Sequence, residues 1–280
     1  MLITPQNQAP NTATPSANPA DGKVQAGVET LLQGLGHTRA RLAAAASAAG
    51  RSPQDVHLLA VSKQHSAEAI RALAGAGQRD FGESYPQEAL PKIAALRELV
   101  GRPPVLPDSD AARASDQAVV VDSPSDDLVW HFIGQLQTNK TRAVAEHFQW
   151  VHALDRLKIA QRLNEQRPEA LGRLNVCIQV KLAPEAGKGG IEPSDLTALA
   201  EEISRLPRLR LRGLMCLPPP QPTFDTQKPY FDSLAEHLHA LQRRGFEVDT
   251  LSMGMSADLE AAVAAGATWV RIGTAIFGAR

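Results

Sequence analysis

The chain lacks several features that define whole classes of protein. It has 280 residues but only 2 cysteines, too few for a disulfide framework or a four-thiolate zinc site. Lys and Arg together number 29 against 30 Asp and Glu, which gives a net charge of −1. A dedicated binder of nucleic acid or of anionic membranes would show a basic excess. We therefore expect neither nucleic acid nor a membrane among its partners.

Long apolar runs are also missing. No stretch approaches the roughly 18 uninterrupted apolar residues of a membrane span, and the N-terminus lacks the basic and apolar regions of a signal peptide. Hydrophobic residues nevertheless make up 43% of the sequence, enough for a sizeable core. These features predict a soluble, cytoplasmic protein.

The N-terminal region divides into a polar segment and a helical one. Residues 1–22 are rich in Pro, Asn, Ala and Thr and cannot bury enough apolar surface to order themselves. We interpret them as a disordered tail. Residues 24–49 carry apolar side chains at helical spacing and are followed by Gly50, a typical helix C-cap. This pattern predicts an N-terminal helix.

The rest of the chain alternates short apolar runs with amphipathic helical patterns. This alternation is typical of buried parallel strands. Eight such units over about 220 residues predict a single (β/α)8 TIM barrel, an α/β fold, across residues 23–280, with a doubly wound open sheet as the alternative. The eight runs are HLLAVS (57–62), RDFGES (79–84), WHFIG (130–134), WVHAL (150–154), NVCIQV (175–180), LRGLMCL (211–217), TLSMG (250–254) and WVRIG (269–273).

A segment rich in Pro and Asp interrupts this alternation at about residues 101–129. It lies between a predicted helix and the third predicted strand. Helix-to-strand connections of a barrel lie on the face opposite the catalytic one. We therefore interpret the segment as a surface insertion that is not part of a functional site.

Lys63 directly follows the first predicted strand, where barrel enzymes place functional side chains. Burial lowers the pKa of a lysine, and a neutral amine can attack a carbonyl to form a Schiff base. Position alone favours a lysine that points to solvent. The loops after the last two strands give the functional interpretation more weight.

Small residues fill those two loops, the recurring phosphate site of barrels. Without large side chains, a phosphate can approach the backbone N–H groups. Ser256 has a second interpretation as a helix N-cap. The small residues are Ser252, Gly254 and Ser256 after the seventh strand, and Gly273 and Thr274 after the eighth.

Arg271 lies between two apolar residues of the eighth strand, where an unpaired cation is costly. Glu83 is its candidate protein partner, and a ligand atom is the alternative. Lys63 together with a phosphate site suggests a phosphorylated aldehyde held as an imine. Pyridoxal 5′-phosphate fits this description, and so does the sugar phosphate of a Schiff-base aldolase.

The remaining candidates are interpreted as structural. His131, Cys177 and Cys216 lie inside predicted strands, and we expect a satisfied core histidine and two buried, inert thiols. The 8 histidines show no metal-ligand spacing, so no metal site is predicted.

Five segments of the sequence resemble the pyridoxal phosphate homeostasis protein family. The family's barrel is similar to that of alanine racemase (fold type III) without that enzyme's second domain. The resemblance runs from about residue 25 to the C-terminus, the insertion excepted. The segments are LLAVSK (58–63), DFGESY (80–85), WHFIGQLQTNK (130–140), GLMCLPPP (213–220) and LSMGMSADLEAAVAAGATWVRIGTAIFGAR (251–280).

The resemblance implies a role for each matching residue. Lys63 forms the imine with pyridoxal 5′-phosphate, and Arg271 lies against the pyridine nitrogen. Asn139 and Lys140 belong to a family motif after the third strand. Ser84 stands where the family usually has Asn, and Gln135 where it commonly has Pro. The implied phosphate ligands are Ser252, Ser256, Gly273 and Thr274, with nearby backbone such as that of Gly254.

The resemblance further implies a monomer that binds pyridoxal 5′-phosphate, serves its intracellular homeostasis and passes it transiently to apo-enzymes, without an established catalytic reaction. The alternative is an amino-acid racemase. In alanine racemase the opposing catalytic tyrosine comes from the second domain, and this sequence has only Tyr85 and Tyr230. The resemblance therefore favours a carrier.

Overall fold

A computed structural model describes residues 19–98, 128–183 and 189–278. Residues 1–18 of the predicted tail and nearly all of the predicted insertion lie outside these ranges. The first helix begins at Pro19, within the last residues assigned to the tail. The third strand begins at Val129, the last residue assigned to the insertion.

Eight parallel strands form a closed barrel in sequence order. Pairing of the first strand with the eighth closes it, with Leu59 opposite Arg271. The predicted barrel is therefore confirmed and the open sheet is excluded. The strands are β1 (His57–Val61), β2 (Asp80–Glu83), β3 (Val129–Phe132), β4 (Trp150–Leu154), β5 (Leu174–Gln179), β6 (Leu209–Met215), β7 (Thr250–Ser252) and β8 (Trp269–Ile272).

Helices connect successive strands, and one further helix precedes the barrel, as the sequence predicts. Within the described ranges, none of them has the length and apolarity to cross a membrane. The α-helices are α1 (Pro19–Ala48), α2 (Ala67–Gly75), α3 (Pro86–Glu98), α4 (Thr141–His147), α5 (Leu157–Gln166), α6 (Leu196–Ser204), α7 (Phe224–Arg243), α8 (Leu259–Ala264) and α9 (Thr274–Phe277).

The β1–α2 unit illustrates why these residues fold in this way. The apolar run of β1 is buried from Leu58 onward, as expected of a strand covered on both faces. The side chain of Ser66 caps α2 by accepting the backbone N–H of Ala69. Ile70 and Leu73 then lie one helical turn apart and are buried.

Helix α1 packs closely against α9. A Cβ atom at Gly34 would lie 2.6 Å from the carbonyl oxygen of Ile276, so only glycine allows this approach. The contact fixes the position of α9, which begins directly after β8.

The barrel interior differs in chemistry from the layer beneath the helices. Residues along a strand alternate between the two sides. The helix side carries the main apolar core. A small cluster formed by Trp150, Ala153, Cys177 and Met215 is separate from that core, and both cysteines are buried, as expected. The interior also holds buried polar side chains, and these lead to the site.

Candidate functional site

The predicted residues gather at one end of the barrel. Lys63 and Ser84 follow β1 and β2, and Asn139 lies in a short 3-10 helix after β3. Ser256 and Gly273 follow β7 and β8. Because the strands are parallel, their carboxyl ends share one face. Lys63 is half-buried at that face and Asn139 is exposed.

Lys63 follows the strand that pairs with the strand carrying Arg271. Leu59 and Arg271 are register partners in β1 and β8. Val61, two residues after Leu59 in β1, lies on the same side of the sheet as Leu59. β1 ends at Val61, and Lys63 lies in the turn at the carboxyl end of this strand.

Arg271 is almost completely buried, with an exposed fraction of 4%. Its Nη1 donates to Ser252 Oγ at 2.8 Å and its Nη2 to the carbonyl oxygen of Cys216 at 2.9 Å. Burial lowers the pKa of this guanidinium. Glu83, the candidate partner, bonds Ser62 and Lys92 instead. The prediction of an Arg271–Glu83 pair is therefore wrong.

A buried hydrogen-bond chain continues from Ser252 through the barrel. Ser252 Oγ lies 2.7 Å from His152 Nδ1, and His152 Nε2 lies 2.9 Å from His131 Nδ1. His131 Nε2 lies 3.0 Å from Asp80 Oδ1. We define Asp80, His131, His152 and Ser252 as the interior chain. It joins the first residue of β2 to Arg271 in β8.

The protonation of His152 determines its place in the interior chain. Burial is the main reason that the pKa of His152 lies well below its ordinary value, and the nearby His131 and Arg271 lower it further, so His152 is neutral. A neutral imidazole has one nitrogen that donates and one that accepts. His152 can therefore donate to one of its two partners, Ser252 and His131, and accept from the other. Ser252 Oγ accepts the hydrogen bond from Arg271 Nη1.

Sequence reasoning found part of this chain. The interpretation of His131 as a satisfied core histidine is confirmed by its burial and its two partners. Asp80 and His152 were missed. A usable signal was present, because each of these residues is polar within an apolar strand run, as Arg271 is.

The loop after β7 requires glycine. Gly254 has a φ of 91°, a region that other residues rarely adopt, and a Cβ atom there would lie 2.5 Å from that of Ala262. The carbonyl oxygen of Ser256 accepts from Arg41 Nη1 at 2.7 Å. The N-cap of α8 is Asp258, so the interpretation of Ser256 as the N-cap is wrong.

The loop after β8 turns directly into α9. Gly273 is the N-cap and provides no side-chain bond, so the first amides of the helix have no acceptor within it. Thr274 is exposed at this turn. Such amides are suited to an anion. Together with the β7 loop they form a small-residue rim that fits a phosphate group.

The structure gives Ser252 and Ser84 contacts that the sequence did not reveal. Ser252 is fully buried and its hydroxyl already contacts Arg271 and His152. Ser84 lies against the next loop, because a Cβ atom at Gly134 would be 2.3 Å from its carbonyl oxygen. In the part of the chain that is described, no group of three or more His, Cys, Asp or Glu side chains is placed to hold a metal ion.

The chain forms a closed parallel barrel with a lysine after β1, a buried arginine in β8 and glycine-containing loops after β7 and β8. Together these features define an alanine-racemase-like barrel. A family model described as the alanine racemase N-terminal domain matches residues 35–280. The chain is 52% identical over 253 residues to the pyridoxal phosphate homeostasis protein of Pseudomonas aeruginosa, covering 90% of this chain and 97% of that one. It is 46% identical over 250 residues to the protein of that name from Escherichia coli K12, covering 89% and 97%. The chain belongs to the pyridoxal phosphate homeostasis protein family.

Solved structures agree with this assignment. PipY of Synechococcus elongatus, solved with and without PLP, is similar to this chain at 36% and 37% identity with TM-scores of 0.70 and 0.71. The match covers 89% of this chain and 100% of PipY. Alanine racemase from Corynebacterium glutamicum is 12% identical with a TM-score of 0.59 and shares the fold alone.

Proposed function

We propose that this protein binds pyridoxal 5′-phosphate at the carboxyl end of its barrel through Lys63 and serves the intracellular homeostasis of that cofactor. The observation that carries the proposal is the placement of half-buried Lys63 directly after β1, the strand whose Leu59 pairs with buried Arg271 of β8. The names of the relatives and the PLP-bound PipY structure support the choice of cofactor.

The residues present fit the phosphate, the ring nitrogen and the ring of this cofactor. The first amides of α9, with Gly273, Thr274, Ser256 and the backbone of Gly254, suit the phosphate. Arg271 suits the ring nitrogen. Ser252 and Cys216 fix its guanidinium, so Ser252 contributes by holding Arg271. Asn139 and Ser84 lie on the rim after β3 and β2, where we assign them to the ring side of the site.

Lys63 provides the covalent attachment. When bound, the cofactor supplies an aldehyde with which an amine condenses reversibly, so that a C=N bond forms and the carbonyl oxygen leaves as water. Lys63 Nζ must release its proton before it can attack, because only a neutral amine has a free electron pair. A reversible bond suits a protein that stores and releases its ligand.

Arg271 disfavours strong catalysis. A guanidinium is a donor only, so a ring nitrogen beside it must accept and stays unprotonated. An unprotonated ring withdraws electrons weakly. A racemase also needs a second base, which in alanine racemase is a tyrosine, and neither tyrosine of this sequence is a candidate for it. Tyr85 has an exposed fraction of 56%, and Tyr230 lies on α7. We therefore favour a carrier over the racemase-like alternative.

The decisive experiment is reduction of the loaded protein with borohydride, followed by peptide mapping. We expect a cofactor absorption band that borohydride abolishes, and a pyridoxyl group on Lys63. The Lys63→Ala variant should show neither. A label mainly on Lys140 would overturn the assignment of Lys63, and absence of the band would favour the aldolase alternative.

Delivery of the cofactor to an apo-enzyme is tested in a separate experiment. As a monomeric carrier, the loaded protein should restore activity to an apo-enzyme that requires pyridoxal 5′-phosphate, and lose its own absorption band in proportion. Sedimentation should give one chain per particle. Retention of the band beside an excess of apo-enzyme would contradict delivery.

A further inference from the structure

A buried cluster of charges lies beneath Lys63 and takes no part in the site described above. We define Ser62, Glu83, Glu88 and Lys92 as the Lys92 cluster. Lys92 Nζ lies 2.9 Å from Glu83 Oε1, 2.5 Å from Glu88 Oε1 and 2.9 Å from the carbonyl oxygen of Ser62. Ser62 Oγ donates to Glu83 Oε1 at 2.7 Å. Lys92 belongs to α3 and has an exposed fraction of 8%.

The cluster bonds the backbone on both sides of Lys63. Before it, the carbonyl oxygen of Ser62 accepts from Lys92. After it, the backbone N–H of Gln64 donates to Glu88 Oε1, the oxygen that also accepts from Lys92. The side chain of Lys92 therefore links the backbone group before Lys63, directly, with the backbone group after it, through Glu88.

The backbone at Gln64 needs such support. Its φ is 66°, and among the described residues Gln64 is the non-glycine residue with a positive φ. This left-handed conformation is disfavoured because it brings Cβ too close to the following carbonyl oxygen. The backbone bond from His65 N–H to the carbonyl oxygen of Ser62, at 3.0 Å, closes the turn. The bond from Gln64 to Glu88 is a second contact that supports it, and Lys92 holds the carboxylate of Glu88.

The charges of the cluster are costly for stability alone. Burial raises the pKa of Glu83 despite its bonds to Ser62 and Lys92, and Glu83 Oε2 is buried without a hydrogen-bond partner. Burial also acts to raise the pKa of Glu88, but Lys92 and Gln64 bring it below its ordinary value. Well-packed apolar residues often stabilise such a position better. What Lys92 adds is a set of directed bonds around Lys63.

We infer that Lys92 is a positioning residue for Lys63. Through Ser62 and Glu88 it holds residues 62–64 in the left-handed turn that directs Lys63 toward the barrel mouth. The inference rests on the proposed function of Lys63. The competing explanation is that the cluster only attaches α3 to the barrel.

The test compares Lys92→Met with a matched lysine. Lys228→Met is the control, because Lys228 Nζ pairs with Asp232 within α7 at 2.7 Å, outside the site. The first measurement is amide hydrogen exchange of the peptide containing Gln64 in cofactor-free protein. The second is the concentration of pyridoxal 5′-phosphate that gives half-maximal borohydride labelling of Lys63. For Lys92→Met we expect faster exchange and a concentration about tenfold higher, with no change in Lys228→Met.

A double variant separates positioning from simple attachment. Glycine adopts a positive φ without steric cost, so Lys92→Met/Gln64→Gly should regain part of the labelling that Lys92→Met loses. Attachment of α3 alone predicts no recovery. Glu88→Met, which removes the acceptor of the Gln64 N–H and leaves the Lys92–Glu83 pair in place, should reproduce the faster exchange at Gln64.

The outcomes distinguish the two proposals. If wild-type protein is not labelled at Lys63, the proposed function fails and the inference with it. If wild-type protein is labelled and folded Lys92→Met matches it in labelling and exchange, only the inference is overturned. If circular dichroism shows Lys92→Met unfolded, Glu88→Met decides: wild-type exchange and labelling there, or loss of its fold, would leave attachment as the role of the cluster.

Discussion

Arg271 is a buried cation whose immediate partners, Ser252 and Cys216, are neutral. Asp258 is a carboxylate whose charge acts to raise the pKa of Arg271, but burial lowers it by more. Burying a charge without an adjacent counter-charge costs several kcal/mol unless hydrogen bonds compensate. Two donors of the guanidinium are engaged inside the barrel, and an acceptor from a ligand can engage the others.

Replacement of Arg271 by leucine should therefore separate folding from binding. In Arg271→Leu we expect unfolding free energy within about 2 kcal/mol of wild type, because an apolar residue replaces a buried cation. We expect the affinity for pyridoxal 5′-phosphate to fall about tenfold and the absorption band to shift. The measurements are urea unfolding and a spectral titration. Wild-type affinity and spectrum together would show that Arg271 serves the protein alone.

His152 makes stability depend on pH. Its pKa in the folded protein is well below 6.5, mainly because of burial. Below that pH the unfolded chain binds a proton that the folded chain does not, so stability falls as pH decreases from about 6.5, by up to about 1.4 kcal/mol per unit. His152→Gln should reduce this slope, measured by urea unfolding between pH 7 and 5. Exposed His239 provides the control, and an unchanged slope in His152→Gln would contradict the assignment.

Helix α1 acts on the site through α9. Alanine stabilises a helix interior by about 1 kcal/mol over glycine, so Gly36→Ala, where a Cβ atom meets nothing within 4 Å, should stabilise the protein. Gly34→Ala should destabilise it by about 1–3 kcal/mol, because its Cβ atom would lie 2.6 Å from the carbonyl oxygen of Ile276. Urea unfolding of both variants checks this. Equal effects would mean that α1 and α9 separate readily.

The elements were predictable to different degrees. Strands such as β1 and β4 were evident because buried parallel strands are continuous apolar runs. β6 begins at Leu209, earlier than predicted, because Arg210 and Arg212 lie within it. The end of a run depends on which polar residues the neighbouring strands accommodate, and one sequence does not give that information.

Candidate site residues could be proposed from the sequence where they follow a strand directly. Lys63, Gly254 and Gly273 are such candidates, because strand ends and loops are visible in the sequence. The interior chain was missed because its members come from different strands, and their contact depends on barrel register. Lys92 was missed for the same reason, since its partners Ser62 and Glu83 precede it on two strands.

At the scale of the whole molecule, the proposed function is to hold the cofactor and not to use it in catalysis. Racemisation needs a base on each face of the reacting carbon and a place for the electrons. In the proposed function Lys63 serves one face. Tyr85 follows β2 but has an exposed fraction of 56%, so its side chain extends into solvent, and Arg271 can only donate to the ring nitrogen. An accessible mouth with one base suits capture and release of the cofactor.

We therefore expect no appreciable exchange of the Cα hydrogen of free amino acids. Loaded protein incubated with a panel of L-amino acids in deuterated solvent should show exchange no faster than loaded Lys63→Ala mixed with free pyridoxal 5′-phosphate. Mass spectrometry measures the deuterium incorporated, and chiral chromatography measures the D-isomers. Exchange above about 1 s⁻¹ that disappears in Lys63→Ala would identify a racemase-like enzyme, because such a rate requires a positioned base and an effective electron sink. Slow exchange that is the same for Lys63→Ala reflects free cofactor, and leaves reversible binding as the chemistry that the barrel performs.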